Sequence, residues 1–268
     1  RHYSTDEALY TNFTKATGIK INRLEGGEDQ LLQRIKSEGA NSPADVFLTV
    51  DAGRLWLADQ EGVFAPVQSK VLNERIPAAY RLASNTWYGL SSRARVMVVD
   101  KLKVKPGEIT SYEDLADPKW KGQVCTRSGS HVYMLSLISS IIEHAGAEKA
   151  EAWAKGVVAN LARPPKGGDT DQVKAVAAGE CAVALSNSYY LARMIKSDKA
   201  DDRTAMERVR VVWPNTNGRG VHMNVSGGGV LKYAPNRDNA IKFMEYLVSD
   251  EAQGYFANGN NEWPIVPS

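Results

Sequence analysis

Cys181-Ala-Val-Ala-Leu-Ser-Asn-Ser-Tyr-Tyr-Leu-Ala-Arg-Met194 reads as a buried strand running into a helix. Residues 181–185 are a short apolar run, Asn187 and Ser188 are types that favour helix N-caps, and from Tyr189 onward the pattern is helical. Two phenols, Tyr189 and Tyr190, therefore stand at a helix start. The first turn of a helix carries unpaired N–H groups and a partial positive charge, which favours an anionic oxygen such as a phenolate. With a reference pKa of about 10, a tyrosine loses its proton near neutrality only beside a strong cation. Oxygen ligands select hard, highly charged metal ions, and ferric iron is one. The bland alternative is a packing pair whose hydroxyls face solvent.

Working outward, 268 residues can bury one large or two medium cores, and strand-like and helix-like segments alternate throughout, which points to an α/β architecture with two lobes. The formal charge of +2 comes without a basic run or aromatic-basic interleaving, so nucleic acid is excluded as a partner. No stretch is apolar enough to span a bilayer and no charged leader opens the chain; the expectation is a soluble, mature form.

Cys125 and Cys181 are the two cysteines, too far apart for a C-x-x-C motif, and are either two buried thiols or one disulfide. Each lies eight residues ahead of a tyrosine, Tyr133 or Tyr189, and shortly after a glycine, Gly122 or Gly179. That parallel placement suggests neighbouring strands in one sheet, which predicts a disulfide and an oxidising compartment.

Leu9, Phe13 and Ala16 share a face of a first helix that Gly18 stops. Residues 19–24 alternate as a strand, a helix carries Leu31, Leu32 and Ile35, and residues 44–49 form another strand, an order that predicts a largely parallel sheet. Residues 88–99 are long for one strand and polar in the middle, and are expected to cross between lobes. Ser128-Gly-Ser130 is expected to cap a helix with Tyr133 in its first turn, and Asp169 or Thr170 to cap the helix before the doublet strand. Residues 236–256 read as a strong final helical region. Ser226-Gly-Gly-Gly229 lacks the Gly-Lys-Ser/Thr ending of a phosphate loop and reads as close backbone packing or a return crossing. There is no GxSxG elbow and no HExxH, and the four histidines form no ligand-spaced cluster, so no enzyme activity is expected.

Arg1-His-Tyr3, Phe13-Thr-Lys-Ala-Thr-Gly-Ile-Lys20, Ser42-Pro-Ala-Asp-Val-Phe47, Gly89-Leu-Ser-Ser-Arg-Ala-Arg-Val96, Gly167-Gly-Asp-Thr-Asp171 and Asn187-Ser-Tyr-Tyr190 together resemble periplasmic ferric-ion-binding proteins of iron-uptake ABC transporters, and the likeness continues through Val248-Ser-Asp-Glu-Ala-Gln253 and Glu262-Trp-Pro264. The resemblance implies a two-lobed periplasmic-binding-protein fold of type II, like one half of a transferrin, with a ligand cleft between lobes. Residues 1–97 with 219–268 would form the N-terminal lobe and residues 98–218 the C-terminal lobe. It implies a monomer in the periplasm that carries Fe³⁺ to the permease of an ABC importer in the inner membrane.

Position by position, Tyr189 and Tyr190 match the paired iron-binding tyrosines, Tyr133 the further tyrosine of the tyrosine-rich subgroup, and Tyr3 that subgroup's ligand near the N-terminus. His2 matches the ligand histidine of a histidine-glutamate subgroup. That subgroup's acidic ligand would fall in Leu48-Thr-Val-Asp51, where this sequence has Val50 and only then Asp51. The departure favours the tyrosine-rich set and leaves His2 as a fifth ligand or a neighbour of one. Four phenolates on Fe³⁺ carry a net charge of −1, which calls for a nearby cation, and Arg93 and Arg193 are the candidates. Whether a carbonate-like anion completes the shell stays open. The rival reading is a two-lobed receptor for another small solute, an anion or an amine.

Overall fold

Helix α1 (Asp6–Thr17) buries Leu9 and Phe13 on one face and ends at Gly18, whose φ of +73° lies in the region that favours glycine. Ala16, expected on that face, is exposed. This computed structural model describes residues 6–267, and its chain forms two units, Arg1–Ser92 with Asn224–Ser268 and Arg93–Met223.

The first unit continues with α2 (Glu28–Glu38), β1 (Val46–Val50), α3 (Ala52–Gln60) and α4 (Lys70–Arg75), and β2 (Tyr88–Asp100) opens in it. Residues 19–24 form no strand. Their alternation does place Ile19 and Ile21 against the core while Leu24 is exposed, so the period reports facing and not ladder pairing. Strand β2 is buried along all 13 residues and passes into the second unit between Ser92 and Arg93.

The second unit adds β3 (Val124–Cys125), α5 (Val132–Ala145), α6 (Ala147–Ala159), α7 (Asp169–Ala177), β4 (Val183–Asn187), α8 (Ser188–Ile195), α9 (Ala200–Arg208) and β5 (Val209–Val212). Alternation in β2 and β4 sorts its two cores. Met97, Val99, Val183 and Leu185 join Leu137, Ile141 and Trp153 of α5 and α6, whereas Val96, Val98 and Ala184 join Val173 and Val176 of α7 and Leu191 of α8. Cys125 is bonded to Cys181, just ahead of β4, with Cα atoms 5.9 Å apart, and β3 and β4 are parallel neighbours as the cysteine placement suggests.

The chain returns through β6 (Met223–Val230), α10 (Arg237–Leu247), α11 (Asp250–Asn258) and β7 (Trp263–Pro264). The expected final helical region is thus two helices, the second capped by Ser249, whose hydroxyl accepts from the Ala252 N–H. The glycine run sits inside β6. A Cβ at Gly227, Gly228 or Gly229 would meet the carbonyl oxygen of Tyr88, Phe47 or Thr86 respectively, which is the close backbone packing expected of it.

The sheet is not largely parallel. Strand β1 pairs antiparallel with β6, and β2 pairs antiparallel with β4, β5 and β7; β3 pairs parallel with β4, and Val124 makes an isolated parallel bridge to Leu161. The reason is that β1 finds its partner some 180 residues along the chain, at Ser226 to Val230, and not in the segment before it.

Candidate metal centre

The strand–helix junction at the doublet forms as its residue types demand. Strand β4 ends at Asn187, α8 begins at Ser188, and Tyr189 and Tyr190 fall in its first turn with ring centroids 4.4 Å apart. Asn187 is the N-cap, but its side chain serves elsewhere: Oδ1 accepts from Arg95 Nη1 at 3.1 Å. The Ser188 hydroxyl accepts from the backbone N of Ala94 at 3.2 Å, tying α8 to β2.

Tyr133 stands in the first turn of α5, whose N-cap is His131 and not the expected Ser128–Ser130 segment. His131 Nδ1 accepts from the Tyr133 N–H at 3.2 Å, and the two rings are 4.6 Å apart. The structure brings Tyr133 and Tyr189 together: their hydroxyl oxygens are 3.1 Å apart, and both side chains are at least nine-tenths buried. Thus two phenols from two helix starts meet in the second unit, and the Tyr190 ring lies beside that of Tyr189. His2 and Tyr3 lie outside the described residues.

Cations surround these rings. The guanidinium carbons of Arg127, Arg95 and Arg93 lie 5.0, 5.8 and 5.9 Å from the Tyr133 centroid, and that of Arg193 lies 5.8 Å from both Tyr189 and Tyr190. The carboxylate of Asp169 pairs with Arg95 and Arg127. Asp169 does not cap α7, as expected; it is the first helical residue, after Gly168, and its side chain turns inward.

Burial pushes the Tyr112 hydroxyl well above the ordinary phenol value, so it remains an O–H group, donating to the Arg95 carbonyl and accepting from the His222 N–H at 3.0 Å. Asp51 is likewise occupied: buried, with φ of +81°, it caps α3 by accepting from Gly53 N at 2.9 Å and also accepts from Asn224 Nδ2 at 2.8 Å. No three His, Cys, Asp or Glu side chains come together as a metal site among the described residues.

Residues 41–268 match the sequence profile of bacterial extracellular solute-binding proteins. The chain belongs to that family. Within these extracellular solute-binding proteins it is 52% identical to iron uptake protein A1 of Synechocystis over 266 residues, 99% of this chain and 74% of that protein. It is 30% identical to the major ferric iron-binding protein of Neisseria meningitidis over 273 residues, all of this chain and 79% of that one. Its fold superposes on a Trichodesmium protein (IdiA, FutA) solved with iron and citrate, with TM-score 0.95, 57% identity and coverage of 100% and 85%. The fold is the two-lobed α/β fold of this family's ferric-binding members. No helix of the described residues is long and apolar enough to cross a membrane.

Sequence reasoning does not bring Arg95, Arg127, His131 and Asp169 together beside these tyrosines. Only the Gly167-Gly-Asp stretch carries a signal, since a glycine pair before an acid marks a special backbone, and Gly167 indeed has φ of +72°.

Proposed function

We propose that the protein captures ferric iron as cargo through the phenolate oxygens of Tyr133, Tyr189 and Tyr190, with Tyr3 as a fourth ligand, and hands it to the permease of an ABC importer. Arg93 and Arg193 compensate the negative shell. The protein acts in the periplasm as a monomeric carrier and not as an enzyme. The observation that carries the reading is the 3.1 Å approach of the Tyr133 and Tyr189 hydroxyls at two helix starts, within reach of four guanidinium groups. The iron named for the Synechocystis and Neisseria relatives supports the same cargo, and the citrate of the Trichodesmium structure supports a carboxylate- or carbonate-like anion beside it.

The test is colour. Ferric phenolate coordination absorbs visible light, so iron-loaded protein should be coloured, bleach when a strong chelator removes the metal, and recover on reloading. A colourless loaded protein would end this reading. The guanidinium groups around these rings would also suit a small anion without a metal, and an anion receptor would bind its ligand with no visible band.

A further inference from the structure

Gly167-Gly-Asp-Thr-Asp171 has no part in the iron site as described, yet its Asp169 stands where the segments carrying the tyrosines meet. The carboxylate is wholly buried. One oxygen accepts from Arg95 Nη1 at 2.5 Å and from the backbone N of Asn187 at 2.7 Å, and the other accepts from Arg127 Nη1 at 3.0 Å. Each bond reaches a different segment. Asn187 closes β4 and leads at once into Ser188, Tyr189 and Tyr190. Arg127 lies between β3 and α5, Arg95 lies on β2, and both guanidinium groups stand over the Tyr133 ring.

A buried carboxylate that pairs two guanidiniums gains little net stability, because desolvation offsets the Coulombic attraction. Packing alone gives no reason for it. Its three bonds instead fix, relative to one another, the ring of Tyr133 and the head of the helix that carries Tyr189.

We propose that Asp169 is a positioning residue for the metal centre, setting the spacing of the Tyr133 and Tyr189 oxygens through Arg95, Arg127 and the Asn187 backbone. The inference rests on the iron reading above. Outer partners of this kind typically change metal affinity by about 10–100-fold when removed.

Asp169→Asn alone strands two buried guanidiniums and reports on folding through the melting temperature of the iron-free protein. The deciding variant is Asp169→Asn with Arg127→Gln, which removes one anion together with one cation. It should fold, bind ferric iron about 10–100-fold more weakly, and show at saturating iron a displaced phenolate-to-iron band. A merely structural residue would lower the melting temperature and leave the band of the loaded protein in place. Arg127→Lys, which keeps the charge but loses the fork on Asp169, should displace the band in the same direction. Parent and Tyr189→Phe are measured alongside. If the parent shows no band, the iron reading has failed; if the parent shows it and the paired variant keeps parental affinity and band, the role of Asp169 is overturned alone.

Discussion

The hydroxyl oxygen of Tyr133 lies 3.1 Å from that of Tyr189, although 56 residues separate them in the chain. Two neutral phenols at that distance share one hydrogen bond. Two phenolates at that distance repel, and a trivalent cation between them reverses the sign of the interaction. On the proposed iron reading, loading is an exchange of protons for metal.

That exchange can be counted. Each coordinated phenol gives up one proton, so apparent affinity rises with pH and proton release reports the ligand number. Tyr133→Phe, Tyr189→Phe and Tyr190→Phe should each release about one proton fewer per iron than the parent when ferric citrate is added in a pH-stat. Tyr3→Phe should do the same, and His2→Ala should leave the count unchanged. A tyrosine whose loss does not alter the count is not a ligand.

The disulfide joins the strands that lead to these tyrosines. Cys125 and Cys181 close a loop with a sequence separation of 56, for which the chain-entropy account gives about 4 kcal/mol of stabilisation. The paired substitution of both cysteines by serine should lower unfolding stability by an amount of that order in denaturant titration. Unfolded, unreduced parent should show no free thiol. Two titratable thiols would contradict the bridge.

What the sequence makes legible here is local. The apolar run of β4, the helix start at 187 and 188 and the placement of Tyr133 all depend on neighbours a few residues away, and all three stand, although neither the Asn187 nor the Ser188 side chain caps the helix. The arginine–aspartate cluster is not local, because Arg95 and Arg127 reach Asp169 across 74 and 42 residues, and nothing in their spacing marks the meeting. Sheet direction fails for the same reason: β1 pairs with β6, and only long-range packing decides that. The histidine cap at His131 is hidden by three serine and glycine residues that are better cap formers on paper.

The glycines of β6 offer a test of packing in the first unit. A methyl group at Gly228 would strike the Phe47 carbonyl oxygen and lie 2.6 Å from Leu48 Cδ2, so the strand must shift or the ladder with β1 must open. Overfilling a tight site costs about 1–3 kcal/mol. Gly228→Ala should lower the denaturation midpoint accordingly, whereas Gly254→Ala, where a Cβ meets nothing within 4 Å and the backbone is helical, should be neutral or stabilising. Equal effects at the two positions would refute the packing account.

His222 predicts how stability depends on pH. Burial, followed by the charges of Arg95, Arg93 and His144, depresses its imidazole to about 4 from the ordinary value of 6.5. The folded protein therefore binds fewer protons at this site than the unfolded chain between those two values. Stability from this group is complete above about pH 6.5 and is lost as pH falls towards 4, amounting to roughly 3 kcal/mol over the window. His222→Gln, which cannot titrate, should flatten that part of the stability–pH curve of the iron-free protein without changing the region above pH 7 in slope. Denaturant midpoints measured across the window check this directly. A parental curve whose slope survives the substitution would show that another group carries the acid sensitivity.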